Sequence, residues 1–214
     1  MKANFSRVVA VVPVRSLAGS KSRLGEPLDP EERADLILGF LRRTVAAALA
    51  ARSLGAVVVV SQDAELLRLA AEMGADTLLQ RTDGLNQALS EARLASCADV
   101  TALLVLPADL PGVAAGAIDG LVQMAADLSG RNPDKAVVGL VSDRHGTGTN
   151  ALIVSPPRAI DFEFGEASRA AHSAAAARAG AAYFELDGPL SFDVDTAEDL
   201  LEADMAGLGH EAGR

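Results

Sequence analysis

The sequence predicts a single α/β domain: a three-layer sandwich with helices on both faces of a mostly parallel sheet. Three observations carry this. Short apolar runs alternate with amphipathic helical stretches along the whole chain. The runs at Val8–Val12, Val57–Val60 and Thr101–Leu106 are apolar without alternation, as strands covered on both faces require. The 214 residues suit about one domain, placed at 1–206 with a flexible tail at 207–214.

The elements follow in order. After the first strand, a loop from Arg15 to Leu28 is rich in Gly, Ser, Lys and Arg. Asp29-Pro30-Glu31-Glu32 starts a helix, with Asp as N-cap, Pro in the first turn and acids at the positive end of the dipole. That helix is expected to stop at Gly55. Beyond the second strand, Asp63–Met73 is helical and ends before Gly74. A short strand at Thr77–Leu79 leads to a helix at about Leu85–Ala98. The strand at Thr101–Leu106 ends in Pro107-Ala108-Asp109-Leu110-Pro111, ahead of a helix at Ala114–Leu128. Ala136–Val141 and Ala151–Val154 read as strands around an intervening loop. An Ala-rich helix at Glu166–Ala179, a strand at Ala182–Leu186 and a helix at Thr196–Met205 complete the chain.

Composition narrows the function. Lys and Arg number 19 against 29 Asp and Glu, a net charge of −10, which argues against duplex DNA or an anionic membrane as partner. A single cysteine, Cys97, excludes a disulfide framework and a multi-thiolate zinc site. With no Trp and one Tyr, base-stacking platforms are not expected. The first apolar run is strand-sized, short of a membrane span or signal sequence, so a cytoplasmic location is expected.

In parallel sheets of this class ligands lie beyond the carboxyl ends of the strands. Five segments there could carry chemistry. The loop from Pro13 to Leu24 presents Arg15, Lys21 and Arg23 among small residues, a composition suited to a polyphosphate or to a plain solvated loop. It lacks the spacing of a Walker A loop. Asp109, fenced by prolines after a buried strand, suits a divalent cation or a helix cap. Asp193 and Asp195 project to one side if extended, although Asp195 with Glu198 also resembles a capping box. Asp109, Asp193 and Asp195 together could form one all-oxygen magnesium site. Gly146-Thr147-Gly148-Thr149-Asn150 is a hairpin loop or an anion receiver. Phe164-Gly165-Glu166-Ala167-Ser168 opens a helix whose free N–H groups could meet an anion. Asn86 and Gln87 could face a nucleobase or solvent. His145 and His172 lack ligand-like spacing, and no Ser-His-Asp arrangement can be argued.

Taken in order, PVRSLAGSKSRL, PADLP, GTGTNAL, FGEAS and FDVDTAEDL closely resemble the 2-phospholactate / phosphoenolpyruvate guanylyltransferases of deazaflavin coenzyme F-420 biosynthesis, from Val9 to Leu201. The resemblance implies a nucleotide-diphosphosugar-transferase-like fold. It implies that Pro13, Arg15, Lys21, Arg23 and Asn86 meet the GTP, with Lys21 and Asp109 in catalytic roles. It implies magnesium on Asp109, Asp193 and Asp195, and a phospho-acid received by Thr149, Asn150, Gly165 and Ser168. Arg15 and Asn150 stand where some members carry Lys and Thr. The implied reaction joins GMP from GTP to the phosphate of phosphoenolpyruvate, 2-phospholactate or 3-phosphoglycerate, with release of pyrophosphate. The alternatives are a nucleotidyltransferase of the same fold acting on a sugar phosphate or molybdopterin-type cofactor, and a non-catalytic nucleotide-binding regulator. Neither nucleic acid nor membrane is an expected partner. A homo-oligomer and a downstream transferase stay open.

Overall fold

The computed structural model describes residues 2–15, 29–96, 99–194 and 199. Lys21, Arg23, Cys97, Asp195, most of the last expected helix and the expected tail lie outside these residues. Seven strands form one sheet: β1 (Val8–Pro13), β2 (Leu54–Ser61), β3 (Asp76–Leu79), β4 (Ala102–Val105), β5 (Val137–Ser142), β6 (Thr149–Ser155) and β7 (Ala182–Glu185). The spatial order is β3-β2-β1-β4-β6-β5-β7. Only β6 runs against its neighbours, β4 and β5, so the sheet is mostly parallel, as expected.

Among the described residues, five helices cover it: α1 (Pro30–Ala50), α2 (Ala64–Glu72), α3 (Leu85–Ala95), α4 (Ala115–Arg131) and α5 (Ser168–Arg178). The pleat of β1 divides the core. Val8, Ala10 and Val12 face a cluster with Leu41 of α1, Leu66 of α2 and Leu121 of α4. Val9 and Val11 face the other side, with Leu89 of α3 and Ala176 of α5. The uninterrupted apolar run at Val8–Val12 is therefore needed by two cores at once.

Helix starts follow their local signals more closely than helix ends. Asp29 accepts the N–H groups of Glu31 and Glu32, both at 2.9 Å, while Glu32 Oε2 accepts the Asp29 N–H at 2.9 Å. Gly55, however, does not stop α1. The helix ends at Ala50, capped by Ala51, and Gly55 lies inside β2. The stop is tertiary: Asp119 of α4 accepts the Ser53 N–H at 2.9 Å and its hydroxyl at 2.6 Å, fixing the turn. Those hydrogen bonds hold the Asp119 carboxyl below the usual range. α5 begins at Ser168, two residues beyond the expected Glu166. Gly165 (φ 138°) and Ala167 (φ 53°) hold backbone conformations that no helix continues.

Among the described residues, no helix is long and apolar enough to cross a membrane.

Candidate active site

The sheet has a switch point between β1 and β4, where successive connections leave in opposite directions; in open α/β sheets ligands bind at the carboxyl edge of such a point. β1 delivers Pro13 and then exposed Arg15 to this edge, and Val14 donates its N–H to Val60 O at 2.9 Å. β4 delivers the Pro107–Pro111 loop after Leu106 donates to Val11 O at 2.9 Å. Because β6 runs antiparallel, its first residues, Thr149 and Asn150, arrive at the same edge. These two lie within the strand, correcting their expected place in a hairpin loop.

Helix α1 fastens the Pro107–Pro111 loop. The buried Thr44 hydroxyl donates to Ala108 O at 3.0 Å, and Arg43 Nη1 donates to Pro111 O at 3.1 Å. The chain returns to this loop through a 3₁₀ turn at Pro189–Ser191. Gly112 packs so closely there that an added Cβ would sit 2.3 Å from Pro189 O. The Asp109 carbonyl accepts the Val194 N–H at 3.1 Å. Val194 itself is fully buried against Phe40, with Leu36 and Phe192 beside it. Asn150 completes the junction, its Nδ2 donating to Leu190 O at 3.1 Å and to Asp193 Oδ1 at 3.3 Å. Asp109, Asp193 and Asn150, some 40 to 80 residues apart in sequence, thus belong to one neighbourhood.

Arg144 reinforces the same segment. Its guanidinium lies 4.9 Å over the Phe192 ring and pairs with the buried Asp199 carboxylate. The sequence gives Arg144 and Thr44 no site role, and Asp199 enters there only as part of FDVDTAEDL. Their roles exist only through contacts across the fold.

The loop between β5 and β6 turns part of its donor set inward. Asp143 Oδ1 accepts the Thr147 N–H at 2.8 Å, and the carboxyl also accepts the Gly148 N–H. Burial pushes this carboxyl up, but those N–H groups and the Thr147 hydroxyl outweigh it and hold it below the usual range. Two N–H groups of this segment are thus satisfied by the chain's own carboxylate. Helix α5 is laced to this loop, with the Arg169 N–H on Thr147 O at 3.1 Å and Arg169 Nη1 on Gly146 O at 2.9 Å. Gly165, expected next to the helix start, instead lies three residues ahead of it and accepts the Ser168 N–H at 3.2 Å.

Asn86, at the start of α3, takes both main-chain groups of Phe164: Nδ2 donates to the carbonyl and Oδ1 accepts the N–H, each at 2.9 Å. Its amide thus joins α3 to the segment leading into α5. The Phe164 ring meets His172 edge-on, with centroids 4.8 Å apart. His172 is fully buried, and desolvation lowers its pKa to about 4. It bridges the Glu163 N–H, at 2.9 Å on Nε2, and the Thr149 hydroxyl, at 3.1 Å on Nδ1. The sequence signal was faint: a lone histidine one turn beyond Ser168 in an Ala-rich helix.

Asp109 and Asp193 stand on segments joined by the Asp109–Val194 contact, and Asn150 hydrogen-bonds the second carboxylate; carboxylates are the oxygen donors magnesium takes, so the residue types fit that ion. Among the described residues no group of three such side chains gathers, and Asp195 lies outside them.

Comparison with known proteins agrees with this architecture. The family model described as guanylyl transferase CofC like matches residues 8–213. The phosphoenolpyruvate guanylyltransferase of Sphaerobacter thermophilus is 43% identical over 198 residues, covering 91% of each chain. That of Rubrobacter xylanophilus is 43% identical over 202 residues, covering 94% of this chain and 95% of its own. A nucleotidyl transferase from Methanothermobacter thermautotrophicus superposes with a TM-score of 0.69 at 18% identity, covering 95% of this chain and 98% of its own. A Desulfovibrio desulfuricans protein described as a nucleotide-diphospho-sugar transferase also gives 0.69, at 16% identity, over 96% and 89%. The fold is therefore nucleotide-diphosphosugar-transferase-like, and the chain belongs to the CofC-like guanylyl transferase family of nucleotidyltransferases.

Proposed function

We propose that this guanylyltransferase joins GMP from GTP to the phosphate of phosphoenolpyruvate, releasing pyrophosphate, within deazaflavin coenzyme F-420 biosynthesis. The observation that carries the reading is the junction of the Asp109 loop with the Asp193 segment at the switch point, supported by the 43% identity to two phosphoenolpyruvate guanylyltransferases.

The acceptor phosphate is ionised near neutral pH, so one of its oxygens attacks the α-phosphorus of GTP without a general base. The bond to the β-phosphate oxygen breaks, and pyrophosphate carries away its electron pair. The chain's task is to bring two polyanions together in a protein of net charge −10. Arg15, Lys21 and Arg23 neutralise the triphosphate, and Pro13 and Asn86 border the nucleotide. Asp109, Asp193 and Asp195 would hold magnesium, which when bound supplies positive charge against the phosphates. Asn150 keeps Asp193 oriented. Thr149, Gly165 and Ser168 receive the phospho-acid, beside Asn150. The product is a disubstituted diphosphate whose new P–O–P anhydride is reactive, suited to hand-over to a downstream transferase.

The test is pyrophosphate release from GTP with phosphoenolpyruvate, 2-phospholactate and 3-phosphoglycerate, and with sugar phosphates as controls. Fastest turnover with phosphoenolpyruvate is expected. Turnover confined to sugar phosphates, or GTP binding with no turnover on any acid, overturns the reading.

A further inference from the structure

The buried imidazole of His172 fixes the direction of a hydrogen bond at the carboxyl edge of the sheet. A main-chain N–H can only donate, so the Glu163 N–H at 2.9 Å makes Nε2 the bare ring nitrogen. The hydrogen of the neutral ring then sits on Nδ1, 3.1 Å from Thr149 Oγ1. An imidazolium would set two hydrogens against each other at Glu163. Thr149 Oγ1 is therefore the acceptor of that pair, and its own hydrogen must turn elsewhere. Among the described residues His172 is the hydroxyl's only side-chain partner. Thr149 is the first residue of β6, at the carboxyl edge beside Asn150.

We infer that His172 is a positioning residue that commits the Thr149 hydroxyl to donate toward the carboxyl edge, selecting an anionic oxygen of the phospho-acid. The inference rests on the reading of Thr149 as an acid contact. It goes further, assigning a role to a histidine that touches neither substrate. The geometry is held from both ends. Phe164 packs against the ring, and Asn86 clamps the main chain of Phe164, so the Glu163 N–H that sets the tautomer is itself fixed. A hydroxyl held this way offers a hydrogen and accepts none from the ligand. It therefore discriminates a carboxylate or phosphate oxygen from an amide N–H at the same place.

Two measurements test it. Nitrogen NMR of the full chain at pH 7, without substrate, reads the tautomer directly, and a protonated Nδ1 with a bare Nε2 is expected. A protonated Nε2 or an imidazolium overturns the inference whatever the substrate proves to be. The second is a kinetic cycle with GTP and phosphoenolpyruvate. His172→Phe should raise KM for the acid about tenfold and leave KM for GTP within about twofold. His172→Asn, whose amide N–H can take the place of Nδ1–H, should recover much of the loss. In a Thr149→Val background His172→Phe should add nothing further. Equal weakening of both substrates, additive losses, or no recovery by Asn overturns the positioning role. A wild-type chain that shows the expected tautomer but turns over no phospho-acid refutes the substrate assignment instead.

Discussion

The carbonyl of Asp109 accepts the N–H of Val194 at 3.1 Å, tying the loop after β4 to the residue that follows Asp193. This main-chain contact does not depend on either carboxylate. Neutralising the side chains should therefore leave the junction standing. Asp193→Asn and Asp109→Asn are expected to fold like the wild type and to lose about 100- to 1,000-fold in pyrophosphate release, the range for removing one electrostatic stabiliser. Circular dichroism with a turnover assay checks both halves. Wild-type turnover in Asp193→Asn would take that residue out of the site.

Gly112 offers a test that changes no charge. A Cβ there would lie 2.3 Å from Pro189 O, a main-chain atom that can move only by shifting the Pro189–Val194 segment. Gly112→Ala should displace that segment and cut turnover at least tenfold. Gly116 and Gly120, both inside α4, have nothing within 4 Å of an added Cβ. Alanine at either should stabilise the helix by up to about 1 kcal/mol and leave turnover unchanged. Thermal unfolding beside the activity assay separates the two classes.

The alternation of buried strands and helices was legible because it is local. Val8–Val12, the Asp29 N-cap and the Asp63–Met73 helix each announce themselves within a dozen residues. The places where the reading slipped are those decided by distant contacts. α1 ends early because Asp119, 66 residues beyond Ser53, holds the turn. The Gly146–Asn150 segment reads as an anion loop, yet Asp143 fills part of it, and Thr149 and Asn150 are strand residues. The candidate site shows the same division. Asp109 and Asp193 stand out by their flanking residues, whereas Thr44, Arg144 and His172 matter only through partners dozens of residues away or on another element.

Thr44 carries a stability prediction. Its side chain is fully buried, and its hydroxyl serves Ala108 O at 3.0 Å. Thr44→Val keeps the shape but leaves that carbonyl without its donor, at a cost of about 1–3 kcal/mol. The melting temperature should fall by several degrees. Turnover should fall with it, since Ala108 precedes Asp109. Thr44→Ser keeps the hydroxyl and should restore most of the turnover. Unfolding scans and turnover on the pair of variants decide, and a Thr44→Val protein as stable and active as wild type would refute the anchoring role.

His172 gives the fold a pH dependence whose sign follows from burial. Its pKa in the native chain is lowered from 6.5 to about 4 by desolvation. Above pH 6.5 the ring is neutral in both native and unfolded states, and its full contribution is present. As the pH falls below 6.5, the unfolded chain takes up a proton that the native chain refuses, so stability declines. The decline grows to about 3 kcal/mol as the pH approaches 4. Other titrating groups add their own slope in that range. The informative quantity is therefore the difference between wild type and His172→Asn. Chemical denaturation from pH 7.5 to 4.5 should show the wild type losing stability faster than the variant, with the gap opening below pH 6.5. Parallel curves would mean that the imidazole takes up its proton equally well in the native state.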